Sequence, residues 1–219
     1  MPTPTGAANE EVVDASGVVD RAIHLTGIAA ASVGVPVLIG HAALRADRWI
    51  LASTSLYGIA LLTTLTCSLL YNSAPVSLRK EQLRRVDHAV IFAMIAATCT
   101  PFALCKIGGD QGYLLAAGIW AVALCGVALK LQFPRCFERV GLTLYLALGW
   151  VALAGFARSH AAFSFFAILL AVAGGIIYTA GAYVLVSARL RYHTAIWHGC
   201  VMAASTCFYA AMFRDVVLL

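Results

Sequence analysis

Long apolar runs joined by short charged connections constrain this chain more than any other feature of its sequence. A helix needs about 20 consecutive apolar residues to cross the hydrocarbon core of a bilayer. Runs close to that length recur along the whole chain, and the connections between them hold nearly all of its charge. The pattern predicts an all-α membrane protein with seven transmembrane helices, over residues 22–42, 49–71, 88–105, 111–129, 140–156, 162–186 and 195–213.

The composition excludes a soluble globular domain. Hydrophobic residues make up 62% of the 219 residues and charged residues only 11%, whereas about a quarter of a soluble domain is charged. So few charges cannot give a chain of this size a polar surface. The composition therefore indicates an integral multi-pass membrane protein with membrane lipids around it.

The domain organisation predicted is one membrane domain behind a short polar tail. Residues 1–21 are polar and acidic, and they lack the basic and apolar segments of a signal peptide. We interpret them as a flexible tail, and residues 22–219 as a single seven-helix domain whose first span remains as an anchor. The seven cysteines form no CxxC pair, so we interpret them as buried hydrophobes rather than a disulfide framework or a zinc ribbon.

The distribution of lysine and arginine predicts the orientation in the membrane. Of the 15 basic residues, ten lie on the side of the N-terminal tail and five on the opposite side. Cytoplasmic loops carry the excess of basic residues, so we expect the N-terminus in the cytoplasm and the C-terminus outside. The same bias explains the net charge of +5, which therefore calls for no nucleic-acid partner.

Polar side chains from several helices are predicted to meet at one depth, near the cytoplasmic side. Ionisable residues within spans mark functional sites. Imidazoles and a carboxylate at one level suggest a metal site or a proton-handling site between helices. The alternative is that each residue caps or snorkels at a helix end, as an acid at the start of the third helix could. The residues concerned are His24, Ser68, Asn72, Asp87, His88, His193 and His198.

Several strings resemble the hemolysin III family, which belongs with the progestin and adiponectin receptor (PAQR) proteins. The string RRVDHAVIFAMIAATCTPF at 84–102 is similar to that family's third-helix signature, and CSLLYN at 67–72 resembles the end of its second helix. GGIIYTAGAY at 174–183 and YHTAIWHGCV at 192–201 resemble its sixth helix and the start of its seventh. The resemblance covers essentially the whole chain in order, and it implies a seven-helix fold with the N-terminus inside.

The resemblance also implies a zinc site with three histidine ligands. His198 matches the last of these ligands, but Asn72 and Thr194 occupy the positions of the other two. His193 lies one residue before the expected position. Residues five apart on a helix are about 140° apart around its axis, so His193 and His198 cannot share an ion if both belong to regular helix. His193 could replace the lost ligand only if the seventh helix begins after it.

The resemblance implies two further site residues and leaves the function open. Ser68 and Asp87 match a serine and an aspartate beside the metal. We predict a non-catalytic relative that binds lipid, senses or perturbs the membrane, because two ligand positions are not histidine. The alternative is a zinc-dependent hydrolase of lipid amides, similar to ceramidases, in which Asp87 would position or deprotonate a metal-activated water and Ser68 would hydrogen-bond nearby. In either case the expected ligand is a lipid amide or a fatty acid in the helix-bundle cavity.

A proton-coupled transporter is a second alternative. Asp87, His88 and His198 could form a proton relay across part of the membrane. No inverted repeat in the sequence supports this alternative.

Overall fold

The computed structural model describes residues 4–133, 138–158, 160–187 and 189–219, and these residues form a helical bundle. Short helical turns follow or precede some of the long helices: π-helical turns at Phe102–Ile107 and Phe213–Leu218, and a 3₁₀ turn at His160–Ala162. The long helices are α1 (Pro4–Leu44), α2 (Arg48–Ser73), α3 (Leu78–Pro101), α4 (Gly109–Gln132), α5 (Glu138–Arg158), α6 (Phe165–Ser187) and α7 (His193–Met212).

The predicted number of helices and their type are confirmed. Seven long helices occur, and no strand lies among the described residues. Six of the helices are long and apolar enough to cross a membrane. The apolar part described in α5, Gly141–Phe156, is shorter than these six spans. The seventh crossing and the orientation of the termini therefore remain predictions.

The first helix begins well before the predicted span. We expected residues 1–21 to be a flexible tail, but α1 runs without interruption from Pro4 to Leu44. Residue Asp20, which the sequence had suggested was in the tail, is only 6% exposed. A buried carboxylate must be paired or hydrogen-bonded, and the histidine partners described below explain how Asp20 is tolerated inside the bundle. Residues 1–3 of the predicted tail lie outside the described residues.

Side-chain caps and a proline define the start of α2 and both ends of α3. Asp47 accepts hydrogen bonds from the backbone N–H groups of Trp49 and Ile50 at the start of α2. Ser77 accepts one from Lys80 at the start of α3. At the other end of α3, Pro101 is followed by the π-helical turn, as expected where a proline removes a helical hydrogen bond. The connections are thus short and locally determined.

Six helices surround a central cavity, and α4 stands outside them. The helices α1, α2 and α3 pack in chain order, α6 packs along α7, and α7 returns to α1. Helix α5 bridges α3 and α6, and α4 packs on α3 and α5. One apolar core joins α1, α2 and α7 around Leu38, Tyr57 and Met212, and a second joins α3, α4 and α5 around Phe92 and Tyr145.

The cysteines that the structure describes are all free thiols. They are Cys67, Cys99, Cys105, Cys125, Cys200 and Cys207. Only Cys99 among them is buried, four are partly exposed and Cys125 is exposed, so the interpretation as buried hydrophobes holds fully for Cys99 alone. Cys136 falls outside the described residues.

Two glycines on α4 provide a matched test of the α3–α4 packing. A methyl group added at Gly126 would lie 2.6 Å from the ring of Phe92, whereas one added at Gly118 would meet nothing within 4 Å. Phe92 is buried against Tyr145 and cannot withdraw. We expect Gly126→Ala to destabilise the fold by about 1–3 kcal/mol through overpacking, and Gly118→Ala to be neutral or mildly stabilising.

Thermal unfolding of the purified variants in one detergent measures this difference. Unfolding at the same temperature for Gly126→Ala and Gly118→Ala would contradict the packing described.

Candidate functional site

The central cavity is long, mostly apolar and polar at one end. Its volume is about 240 Å³, and its wall is formed by side chains from all the long helices except α4 among the described residues. Along α3 and into the π-helical turn that follows it, the cavity extends from Asp87 to Phe102, a helical rise of about 22 Å. At its apolar end the rings of Phe102, Phe156 and Phe163 contact one another. Its polar end holds Asp87, His24, Ser68 and His198.

The polar end is organised around the carboxylate of Asp20. Nδ1 of His198 lies 2.5 Å from Asp20 Oδ1 and donates to it. Nδ1 of His24 donates to the backbone carbonyl of Asp20 at 2.8 Å and lies 3.5 Å from Asp20 Oδ2. Asp20 on α1 thus holds the imidazole of His24 on its own helix and the imidazole of His198 on α7. Each ring, when neutral, has its acceptor lone pair on Nε2.

The two histidine rings lie against each other. Their centroids are 4.4 Å apart, with the ring planes at 67°. One ligand atom from each of Asp20, His24 and His198 lies within 4.8 Å of the other two. We call these three residues the α1–α7 cluster. It is buried apart from the partly exposed His198.

Asp87 forms the second acidic group at the polar end. It is 8% exposed, and Ser68 on α2 donates a hydrogen bond to its side chain. Asp87 also interacts electrostatically with His198 and His24, the two histidines of the α1–α7 cluster. Its neighbour His88 lies 3.7 Å from the Asp87 carboxylate, but the Nδ1 of His88 donates to the carbonyl of Arg84 at 2.8 Å. The carboxyl group therefore meets residues of four helices.

The structure brings together only part of the predicted site. Ser68, Asp87 and His198 line the cavity, whereas Asn72, His193 and Thr194 are absent from its wall. Asn72 donates to the carbonyl of Ser68 at 2.9 Å and to its hydroxyl at 3.3 Å. Its amide thus supports Ser68 without lining the cavity.

His193 points back towards the preceding connection. Its Nδ1 donates to the carbonyl of Leu190 at 3.1 Å. Helix α7 begins at His193, so residues 193–198 are helical and the five-residue spacing separates the two imidazoles. The ring of His24 on α1, rather than that of His193, accompanies His198.

Asp20 was missed by the sequence analysis, and His24 was found but not assigned as a ligand. Residues four apart on a helix lie about 40° apart around its axis, so an aspartate followed by a histidine four residues later can act as one unit. That spacing occurs at Asp20 and His24. The signal was hidden because Asp20 lies in a stretch that was interpreted as a tail.

The donors of the α1–α7 cluster fit a zinc ion. Two imidazoles and a carboxylate are a common zinc donor set, and a carboxylate bonded to a histidine is the usual way in which such a ligand is oriented. His24 and His198 would hold the ion, and Asp20 would ligate it or orient the imidazoles. The set differs from the one implied by the resemblance, since neither Asn72 nor Thr194 contributes to it.

Comparisons with known proteins show which family the chain belongs to. The family model for "Haemolysin-III related" matches residues 17–209. The chain belongs to the haemolysin-III related family. The Bacillus subtilis (strain 168) "Hemolysin-3 homolog" is 30% identical over 194 residues, which are 89% of each chain. The Bacillus cereus "Hemolysin-3" is 29% identical over 178 residues, which are 81% of each chain.

No solved structure matches the chain at a significant level. The match to the haemolysin-III related family begins at residue 17 and includes Asp20. The matched region therefore contains all three residues of the α1–α7 cluster.

Asp20 is expected to stabilise the contact between α1 and α7. In Asp20→Ala, His198 loses its acceptor in a buried site, a loss that typically costs about 1–3 kcal/mol. In Asp20→Asn, the amide oxygen can still accept from His198, so we expect a smaller loss. Thermal unfolding of both variants measures the effect, with Asp110→Ala as the control because Asp110 is exposed. Equal stability of Asp20→Ala and Asp110→Ala would rule out this role.

Proposed function

We propose that this protein binds a single-chain lipid inside the helix bundle, with the acyl chain along the cavity and the head group at its polar end. The observation that carries the proposal is the shape of the cavity. A long apolar wall ends at a cluster of hydrogen-bonding groups, of which Asp87 and His198 face the cavity. This is the pattern of a site for an amphiphile with one chain.

The length of the cavity suits one acyl chain. Its extent along α3 is about 22 Å, which exceeds half of the ~30 Å hydrocarbon thickness of a bilayer. An acyl chain gains little free energy by moving from lipid tails into apolar walls, because the two surroundings are similarly apolar. The polar end must therefore supply most of the preference for a particular lipid.

The polar end favours a head group that donates hydrogen bonds. Asp87 and the Nε2 atoms of the two histidines are acceptors in the cavity wall, and the Ser68 hydroxyl is already used towards Asp87. An ionised fatty acid has only acceptors, whereas an amide or an alcohol also has a donor. Of the two expected ligands, a lipid amide thus fits better than a free fatty acid.

Filling the cavity should displace the lipid. Ala171 on α6 lines the cavity, and Ala180 on the same helix is exposed on the outside of the bundle. In Ala171→Phe the ring would occupy the path of the acyl chain. We expect co-purified single-chain lipid to fall about tenfold in Ala171→Phe, which corresponds to ~1.4 kcal/mol, and to remain unchanged in Ala180→Phe.

The measurement is lipid extraction of the purified proteins followed by quantitative mass spectrometry. Both variants are first checked for thermal stability in the same detergent. A wild-type protein that carries no single-chain lipid, or equal lipid content in the two variants, would count against the proposal.

Metal-dependent hydrolysis of a lipid amide is a second candidate, which the α1–α7 cluster favours. A zinc ion at such a site supplies a Lewis acid and lowers the pKa of a bound water. Asp20 would hold the two imidazoles in the tautomer with Nδ1 protonated. Asp87, oriented by Ser68, would accept a proton at its carboxylate at the same end of the cavity. The proton-coupled transporter stays a prediction, since no further contact favours it.

Zinc content separates this candidate from lipid binding without metal. If the α1–α7 cluster holds zinc, wild-type protein purified without chelator should contain about one ion per chain. His24→Ala and His198→Ala should lose it, and Asn72→Ala and His193→Ala should keep it. Elemental mass spectrometry gives the ratio directly. Zinc that depends on Asn72 or His193 would refute this ligand set, and no zinc at all would leave the metal-free lipid site.

A further inference from the structure

The phenol of Tyr178 on α6 lies in the cavity wall with its hydrogen-bonding capacity unused. Its ring packs edge-on against the ring of Trp197 on α7, with the two centroids 5.0 Å apart. Its hydroxyl makes no hydrogen bond to any residue that the structure describes, and it is not fully enclosed by protein atoms. Hydroxyl groups inside proteins are almost always hydrogen-bonded. A phenol left open towards a cavity therefore indicates a partner carried by the ligand.

The glycines around Tyr178 on α6 show that its side chain faces the cavity. A methyl group added at Gly175 would lie 3.5 Å from the ring of Trp150 on α5, and one added at Gly181 would lie 2.6 Å from Cys200 on α7. Tyr178 follows the first glycine by three residues and precedes the second by three. It therefore lies between them around the helix, about 60° from each. This direction opens between α5 and α7, where the cavity is.

Tyr178 reaches the polar end of the cavity. Its phenol interacts electrostatically with the carboxylate of Asp87 on α3. The ring that it contacts, that of Trp197, directly precedes His198 on α7. The free hydroxyl thus belongs to the same end of the cavity as the acceptors described above.

The other hydroxyl groups in the described part of the wall are already bonded, enclosed or distant from the polar end. The bonded ones, which donate to a carbonyl or a carboxylate, are those of Thr64, Ser68, Thr98, Tyr145 and Thr179. The Tyr57 hydroxyl has no partner among the described residues, but it is fully enclosed, so a ligand in the cavity cannot reach it.

Ser205 on α7 is the remaining hydroxyl of the described wall without a partner. It follows His198 by seven residues, which places it about 10 Å further along α7 from the polar end. A serine can also turn to a carbonyl of its own helix, whereas a tyrosine side chain is too long for that bond. Tyr178 is therefore the better placed donor for a head group.

A donor on α6 adds a requirement to the head group. Asp87 and the Nε2 atoms of the two histidines offer acceptors, so they select for a head group that donates. A head group that also meets Tyr178 must accept at another atom. An amide has its donor and its acceptor on separate atoms, whereas an alkylammonium has donors alone.

We propose that Tyr178 is a specificity-determining residue of the lipid site and donates its phenolic hydrogen to an acceptor oxygen of the head group. In a lipid amide this acceptor is the carbonyl oxygen, while the N–H group meets Asp87 at the same end of the cavity. This inference rests on the proposed lipid-binding function, and it adds that the head group must accept as well as donate.

Binding of two single-chain probes to the full-length protein in detergent tests the inference. Octadecanamide has a donor and an acceptor, and octadecylammonium has donors alone. The variant Tyr178→Phe removes the hydroxyl and keeps the ring that packs on Trp197. We expect it to bind octadecanamide about tenfold more weakly than the wild type does, and to bind octadecylammonium equally well. Native mass spectrometry or competition against a fluorescent fatty amide gives the affinities.

Two control variants keep the Tyr178 hydroxyl. Tyr183→Phe makes the same change on the exposed face of α6, and Ser205→Ala removes the other free hydroxyl of the described wall. Both should bind the two probes as the wild type does. Without ligand, Tyr178→Phe should unfold at the temperature of the wild type, because the hydroxyl that it lacks has no partner among the described residues.

The outcomes separate this inference from the proposed function. Octadecanamide binding that is unchanged in Tyr178→Phe, or that weakens in Ser205→Ala instead, would overturn the inference and leave lipid binding intact. An equal loss of both probes in Tyr178→Phe, or a lower unfolding temperature of the ligand-free variant, would show that the hydroxyl supports the fold, and this too would overturn the inference. No binding of either probe by the wild type would overturn the inference and the proposed function together.

Discussion

The contact between the Asp20 carboxylate and two imidazoles is the interaction on which the polar end of this protein depends. A carboxylate is costly to bury unless it is hydrogen-bonded, and here it accepts from His198 across the bundle while its own backbone carbonyl accepts from His24. The bond joins the first long helix to the last. It therefore closes the ring of helices at the level where the cavity becomes polar, and it sets the direction in which both imidazoles face.

The same contact explains how the site differs from the one that the sequence resemblance implies. Asn72 and Thr194 stand at two expected ligand positions, and neither lines the cavity. His24 brings a second imidazole from α1, and its ring lies 4.4 Å from that of His198. The candidate nitrogen ligands thus lie on α1 and α7, whereas the resemblance implies ligands on α2 and α7. Asn72 keeps a structural function, because its amide supports the serine that bonds Asp87.

Hydropathy was enough to predict the helices, and antiparallel chain direction was enough to predict that Ser68, Asp87 and His198 share a level. The helices follow from the length of the apolar runs, and the shared level follows from the order of those runs along the chain. Both quantities can be read from the sequence. The place of Asp20 in the α1–α7 cluster could not be predicted in the same way, because its burial depends on a partner 178 residues away. The position of His193 depended on the first residue of α7. The Tyr57 hydroxyl lacks a partner because of how the helices pack around it, and no local sequence pattern predicts this.

The position of α4 outside the ring has a consequence for how such a protein can diversify. This helix contributes no residue to the described cavity wall, and it is held by packing against α3 and α5, including the close approach of Gly126 to Phe92. Its outward face takes no part in the described cavity wall, so substitutions there leave that wall unchanged. Adaptation to a thicker bilayer or to a neighbouring protein could proceed on α4 while the interior stays unaltered. The fold thus keeps one helix, α4, apart from the wall of the central cavity.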